Sequence, residues 1–185
     1  MQVLIGAGLL LIVLGLFTLF SYKAPHGMKA MGALAGAACA SFLVEAFHSS
    51  FFGNVLNIEF LKKVGDANGS LGGVAAAILV PLALGVSPVY SVLIGLSCSG
   101  LGILPGFIAG YLMSFVVKFL EEKLPSGLDL IVIIVVATPL TRIIGDFTAP
   151  VVDSTLLKIG QVLIASANSN PITMGIILGG IITVV

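Results

Sequence analysis

The chain has 185 residues, of which 58% are hydrophobic and 9% are charged, whereas an ordinary soluble domain carries about 25% charged residues. Because so few charges cannot cover a water-exposed surface, the composition excludes an ordinary soluble protein and predicts an integral membrane protein. The net charge of zero also excludes a basic arm for nucleic acid. Continuous apolar runs favour helices over a β-barrel. We therefore predict an all-α, polytopic transmembrane helical bundle of about five to seven spans, folded as one domain over residues 1–185.

The first half of the chain predicts two spanning helices and one helix on the membrane surface. Residues 1–20 lack the basic residues that open a signal peptide, so we expect a retained spanning helix. A second span covers residues 28–47 and contains Gly32 and Gly36, whose spacing is typical of closely packed membrane helices. Residues 49–65 are amphipathic and too weakly apolar to span, so they predict an interfacial amphipathic helix followed by a turn.

The middle of the chain contains an apolar stretch that is too long for one straight helix. We expect a span over residues 71–86, and residues 89–120 follow with a break that contains Gly and Pro. Two elements are predicted to meet at that break. Gly102, Gly106 and Gly110 repeat every four residues and predict a helix-packing face.

The last third of the chain alternates apolar helices with polar breaks. A span over residues 128–137 ends where residues 138–150 bring two prolines, three threonines and two opposite charges into an apolar context. An amphipathic helix over 151–166 and a break over 167–171 follow, and the final helix starts at Pro171. The chain stops within this apolar run, so we expect it to be the N-terminal part of a longer, transporter-like membrane protein.

The polar break around Arg142 is the first candidate binding site, because charged groups at membrane depth are expensive unless they are paired or hydrated. Arg142 and Asp146 are four residues apart, so they can pair on one face of a helix, and Asp153 continues that face. Thr148 adds a hydroxyl, and the prolines leave backbone carbonyls without donors. Such oxygens are ligands for a hard cation or a sugar. The alternative is a structural ion pair at a helix end near the lipid headgroups.

The polar break that contains Asn168, Asn170 and Thr173 is the second candidate, because broken helices with polar tips form substrate sites in secondary transporters. The helix start after this break points backbone N–H groups at a bound solute. The alternative is an ordinary loop with good helix capping. A third candidate, Glu45 with His48, lies where we expect the membrane interface, and charged side chains are common there.

The basic residues predict an orientation through the positive-inside rule. Alternating spans from a cytoplasmic N-terminus put four lysines inside and two outside. The inner ones are Lys62, Lys63, Lys118 and Lys123, and the outer ones are Lys23 and Lys29. Cys39 and Cys98 lie in apolar surroundings rich in small residues, so we expect small buried side chains rather than metal ligands or reactive thiolates.

Two segments near the C-terminus resemble a known membrane family. They are residues 145–153, Gly-Asp-Phe-Thr-Ala-Pro-Val-Val-Asp, and residues 168–175, Asn-Ser-Asn-Pro-Ile-Thr-Met-Gly. These segments are similar to the enzyme-IIC-like branch of the bacterial phosphotransferase system that includes PfoR-type toxin regulators. The resemblance implies a multi-pass protein of the bacterial cytoplasmic (inner) membrane, a transport-like fold and a homodimer. Met174 stands where the glucose-class pattern has a sugar-binding glutamate.

The residues and the resemblance together predict a non-enzymatic transport protein of the enzyme-IIC type that moves a small polar solute. We expect no cofactor, no metal site, no catalytic residue and no phosphocarrier domain in the chain. Its expected partners are the lipid bilayer, a second copy of the chain and the solute, and not nucleic acid. Two alternatives stay open: a dimeric sodium or potassium channel in which Asp146 or Asp153 attracts the cation, and a regulatory or assembly protein without flux.

Overall fold

The structure is a computed structural model, and it describes residues 2–125 and 127–169 together with Ile172 and Gly175. All regular secondary structure in this part is helical, which confirms the predicted all-α class. Short π-helical segments, with wider turns than an α-helix, occur in two places. The elements in chain order are α1 (Gln2–Lys23), α2 (Gly27–Ala38), π1 (Cys39–Leu43), π2 (Glu45–Val55), α3 (Glu59–Gly69), α4 (Gly72–Leu84), α5 (Pro88–Ser97), α6 (Ile103–Lys123), α7 (Leu128–Val132), π3 (Ile133–Ala137) and α8 (Thr138–Ser169).

The contacts within the chain group into two compact units. The first consists of Met1–Ala24 with Val151–Val185, and the second consists of Pro25–Pro150. Each unit is compact by itself, and the single membrane domain over residues 1–185 stays a prediction. Arg142 and Asp146 lie in the second unit, whereas Asp153 belongs to the first.

Three stretches of the described chain are long and apolar enough to span a membrane, namely Gly27–Val55, Ile103–Lys123 and Leu128–Leu157. Helices α3 and α4 pass the same test as a pair, although the chain bends by 51° between them. These spans are fewer than expected, in part because α5 has only 10 residues, or about 15 Å of helix. A hydrocarbon core of about 30 Å needs twice that length.

The second predicted span is longer than expected. Its α-helical start, α2, continues as π1 and π2 through Val55, so the expected helix end at residue 47 is wrong. Residues 49–55 therefore continue the helix of this candidate span, and the separate helix starts later, at Glu59. The following α3 is a separate helix, and the turn after it is confined to Ser70 and Leu71.

Helix α3 packs antiparallel along π2 to form a hairpin with glycines at its contacts. At each of three glycines, an added Cβ would lie closer than 3.0 Å to the facing segment, a separation that real Cβ contacts essentially never show. The Ser49 hydroxyl also donates a hydrogen bond across the hairpin to the Asp66 carboxylate. The contacting pairs are Gly53 with Lys62, Gly65 with Ser49, and Gly69 with Glu45.

Helix α4 is the central helix of the second unit and contacts α2, α5 and α6. It runs parallel to α6, because Gly73 faces Gly106 and Ala77 faces Gly110, and both pairs approach backbone to backbone. Helix α5 packs antiparallel on α4 through Gly95. Small residues allow these close approaches, which give membrane helices their van der Waals attraction. The buried side chains around this crossing include Ala77, Ile94, Met113, Val117 and Ile133.

The glycines of α2 have a different environment. Gly32 and Gly36 are exposed, and a Cβ added at Gly32 would meet nothing within 4 Å. The buried face of α2 instead carries Ala30, Leu34 and Ala37. Cys39 is exposed as well, so the prediction that it is buried is wrong. It lies about one turn beyond Gly36 and so continues the exposed face.

The end of α6 lies beside the start of α2. His26 and Lys118 line one cavity, and the Tyr111 hydroxyl donates a 2.8 Å hydrogen bond to the Pro25 carbonyl oxygen. The predicted placement of Lys118 on the opposite side from Lys29 is therefore wrong. The reason is that the chain reverses direction between α5 and α6. The prediction alternated long spans only and did not include this reversal.

The predicted helix break at residues 138–150 is also wrong, because α8 runs from Thr138 to Ser169 with Pro150 inside it. The hydroxyls of Thr138 and Thr141 donate to carbonyl oxygens of the preceding turn, at 2.5 and 2.6 Å. Pro150 removes the N–H donor for the carbonyl oxygen of Asp146, an oxygen that neither of these hydroxyls contacts. The helix is nevertheless continuous where its local composition indicated a break.

Candidate functional site at the middle of the spans

Arg142 and Asp146 form an ion pair on one face of α8. Arg142 Nε lies 3.0 Å from the Asp146 carboxylate, and Nη1 donates a 2.7 Å hydrogen bond to the carbonyl oxygen of Ser99. The two charged side chains keep 47% and 54% of their surface exposed. Arg142 is the fifteenth of the 30 residues in Leu128–Leu157. This pair therefore lies within a long apolar stretch of continuous helix and not at a helix end.

The turn between α5 and α6 lies against this pair. Gly100 in the turn has a φ of +78°, a left-handed conformation that glycine adopts without steric cost. Ser99 and Gly100 are exposed, whereas the Cys98 thiol is buried, as the sequence predicted. On the opposite side of the turn, the Leu101 side chain packs closely against Gly145 of α8. The packing of α8 thus holds the turn and leaves its polar backbone open beside Arg142.

The same turn reaches the break between α3 and α4. Gly73, in the first turn of α4, lies against the carbonyl oxygens of Leu101 and Gly102. Its neighbour Gly72 lies beside the hydroxyl of Ser41, which is the fifteenth of the 29 residues of the second span. The middle of that span, the bend between α3 and α4, the α5–α6 turn and Arg142 therefore share one level.

We call Arg142, Asp146, Ser99 and Gly100 the mid-span site. It offers guanidinium donors, carboxylate acceptors, a hydroxyl and open peptide groups. Exposure of a charge to hydrocarbon is expensive, so charged side chains within a membrane-spanning helix are expected to face water or protein. In the part of the chain that the structure describes, no three His, Cys, Asp or Glu side chains are arranged to hold a metal ion.

Three of the five other predicted site residues, Thr148, Asp153 and Asn168, lie among the described residues. The Thr148 hydroxyl donates to the carbonyl oxygens of Ile144 and Gly145, at 2.9 and 3.1 Å, so it is engaged within its own helix. Asp153 belongs to the other unit. Asn168 lies within α8 and not in the break predicted there, and Asn170 and Thr173 lie outside the described residues.

The predicted pair of Glu45 with His48 is also separated. The Glu45 carboxylate packs against Gly69 of α3, whereas His48 Nδ1 lies 3.2 Å from the carbonyl oxygen of Val44 in its own helix. Glu45 therefore belongs to the π2–α3 hairpin. Sequence reasoning missed the Ser49–Asp66 contact of this hairpin, because 17 residues separate the two side chains.

Sequence reasoning also missed Ser99 and Gly100, which the structure places in the mid-span site. The sequence feature that could have identified them is the segment Ser-Cys-Ser-Gly at 97–100, which interrupts two apolar helices with polar residues. At the other end of α5, the Tyr90 hydroxyl donates a 2.7 Å hydrogen bond to Asp129. This bond and the burial of the ring raise the pKa of Tyr90 to about 12, so the phenol remains a donor at neutral pH. Helix α5 is thus anchored by hydrogen bonds near both of its ends.

Comparison with known proteins gives a family for this fold. The profile of the family described as Phosphotransferase system, EIIC matches residues 28–185, which include the mid-span site. The match confirms the resemblance to enzyme IIC that two C-terminal segments indicated. No curated protein and no solved structure matches the chain.

Proposed function

The chain belongs to the EIIC family of the phosphotransferase system, a family of membrane transport components, and we propose that it carries a small polar solute through the mid-span site. The observation that supports this proposal is the half-exposed ion pair of Arg142 and Asp146 within an apolar candidate span. Ionisable residues at such depth are rare in membrane proteins and mark solute or ion pathways. A pair whose only role is to stabilise a helix surface is less costly near the headgroups.

The chemistry of the site favours a neutral solute with several hydroxyl groups. Arg142 can donate to a solute oxygen, and Asp146 can accept from a solute hydroxyl. Because their charges cancel, a neutral solute does not leave a net charge in a medium of low dielectric constant. The open backbone at Ser99 and Gly100 adds further donors and acceptors next to the pair.

The broken elements around the site support the same function. Helix α4 starts at this level after a 51° bend, and the α5–α6 pair turns back at the same level. Discontinuous helices near the midplane are where secondary transporters build their substrate sites. The nonhelical backbone at residues 98–102 is therefore best explained by a polar cavity beside it.

The test is tracer uptake by the purified full chain in liposomes, with a labelled hexose, pentose and hexitol as probes. We expect Asp146→Asn to lower uptake of the accepted probe by about tenfold or more, because a charge-assisted hydrogen bond contributes about 1.5–3 kcal/mol. The matched control is Glu59→Gln, which removes the carboxylate of the exposed i, i+4 pair Glu59–Lys63. Equal effects of the two variants would contradict the proposal.

The same liposomes separate the two alternative functions. A potassium or sodium leak that Asp146→Asn reduces, without uptake of any sugar or hexitol, would favour a cation channel. A folded protein that passes neither ions nor these probes would favour a regulatory or assembly role. We propose in addition that the protein works as a homodimer in the bacterial cytoplasmic membrane, with the open stripe of Gly32 and Gly36 as the support for a second copy.

A further inference from the structure

A cavity that combines charged and aromatic side chains lies at the opposite end of α4 from the mid-span site. It has a volume of about 220 Å³ and is formed where the start of α2, the end of α4 and the last turns of α6 meet. Leu84 at this cavity and Gly73 at the mid-span level are separated by about 16 Å of helix. The lining residues are His26, Leu84, Phe115, Lys118, Phe119 and Glu122.

The cavity is lined by one lysine and one glutamate that do not form an ion pair with each other. Lys118 and Glu122 are four residues apart on α6, a spacing at which lysine and glutamate usually pair. Lys118 Nζ instead donates a 3.1 Å hydrogen bond to the Leu84 carbonyl oxygen, and no ion pair within 4.0 Å joins it to Glu122 among the described residues. The ammonium is directed to the end of α4, and the Glu122 carboxylate lines the same cavity without an ion pair to Lys118.

Two of the other lining residues are exposed phenylalanines. Phe115 and Phe119 are one turn apart on α6 and are 37% and 59% exposed. The Phe115 ring packs edge-on against Tyr111, with 5.1 Å between the ring centroids, so its position is fixed. An exposed aromatic side chain on a spanning helix contacts acyl chains or the headgroup boundary.

We propose that this cavity binds the zwitterionic headgroup of an aminophospholipid such as phosphatidylethanolamine. Lys118 and His26 would hold the phosphate, and Glu122 would accept hydrogen bonds from the primary ammonium. Phe115 and Phe119 would pack against the glycerol and the first methylenes of the acyl chains. A lipid bound here would link the ends of α2, α4 and α6.

Other headgroups satisfy only part of this arrangement. A phosphatidylglycerol headgroup has a phosphate but no cation for Glu122. A phosphatidylcholine headgroup has a cation, but its quaternary nitrogen has no N–H to donate. The proposal therefore predicts that phosphatidylethanolamine is preferred over both, and that removal of the Glu122 charge abolishes this preference. It does not depend on solute transport through the mid-span site.

The experiment is native mass spectrometry of the purified full chain, equilibrated with an equimolar mixture of dioleoyl phosphatidylethanolamine, phosphatidylglycerol and phosphatidylcholine. We expect phosphatidylethanolamine to be retained about tenfold over each of the others, the ratio expected for one charge-assisted hydrogen bond. Glu122→Gln should reduce this ratio to about one. Glu121→Gln, which changes the same charge on the neighbouring residue outside the cavity lining, should leave it unchanged.

Three results would overturn the proposal: equal retention of the three lipids, preferential retention of phosphatidylglycerol, or an unchanged preference in Glu122→Gln. Displacement of the lipid by millimolar phosphoethanolamine would also overturn it, because the site would then take a soluble zwitterion. If Glu122→Gln changes the circular dichroism spectrum, His26→Asn serves instead. Asparagine tolerates the left-handed backbone of His26, whose φ is +55°, and it should weaken phosphate binding.

Discussion

The small-residue stripes of α6 and α2 have the same four-residue spacing but opposite environments. Gly106 and Gly110 of α6 lie against Gly73 and Ala77 of α4. On α2, in contrast, a Cβ added at Gly32 would meet nothing within 4 Å, and one added at Gly36 would only reach the Leu79 side chain at 4.0 Å. Glycines four residues apart therefore form a smooth helix face, but their spacing does not determine which helix packs against that face. Helix α4 provides that partner for α6, because Gly73 and Ala77 repeat the same spacing on the facing helix.

The two environments also differ in how the neighbouring atoms can respond to an added methyl group. At the α4–α6 crossing the groups in contact are backbone atoms, which cannot give way without displacement of a whole helix. On the exposed face of α2 an added methyl group enters open space within the single chain. Substitutions at matched glycines therefore test the comparison directly.

The largest effect is expected for Gly106→Ala. The new methyl group would collide with the backbone of Gly73 on α4, and relief of that collision requires the two central helices to separate. Overpacking of this kind costs about 1–3 kcal/mol. We expect a marked fall in the thermal unfolding midpoint in detergent, measured by circular dichroism. A midpoint equal to that of Gly32→Ala would contradict the proposed role of the crossing.

A second strong effect is expected for Gly65→Ala, in the hairpin of α3 and π2. The added Cβ would collide with the backbone nitrogen and Cβ of Ser49 and would weaken the hydrogen bond from Ser49 to Asp66. Because α3 has few other contacts outside this hairpin, we expect local separation and faster proteolysis at Lys62 and Lys63. Ala67→Ser, at an exposed position on the same helix, is the control and should leave the cleavage rate unchanged.

A smaller effect is expected for Gly145→Ala, at the mid-span site. Here the colliding group is the terminal methyl of Leu101, and a side-chain end can rotate away. We expect a loss of about 1 kcal/mol or less in unfolding free energy, together with reduced solute uptake if the turn shifts from Arg142. The double variant with Leu101→Val should recover most of both losses, and failure of this rescue would show that the loss does not arise from this contact.

These contacts also show how far the sequence alone could lead. The break between α5 and α6 was predictable because Gly and Pro interrupt a long apolar run, and the Arg142–Asp146 pair was predictable because its spacing matches a helical turn. The Ser99 carbonyl that Arg142 binds is 43 residues away along the chain, so no local pattern could identify it. The predicted break at 138–150 is wrong because the helix continues through Pro150, although proline in a sequence usually indicates a helix end or a kink.

The smallest effect on the fold is expected for Gly32→Leu, which nevertheless tests the open stripe most sharply. The side chain enters space that is empty in the single chain, so the unfolding free energy should change by less than about 1 kcal/mol, in the direction of greater stability, since leucine favours a helix more than glycine. If a second copy packs on this stripe, the larger side chain separates the two backbones and removes the close contact. We therefore expect a lower dimer fraction in cross-linking and light-scattering measurements, while Val135→Leu, at an exposed apolar position on π3, leaves the dimer unchanged. An unchanged dimer fraction in Gly32→Leu would mean that the stripe faces lipid. The glycine face of α6 would then pack against protein, and the glycine face of α2 against lipid.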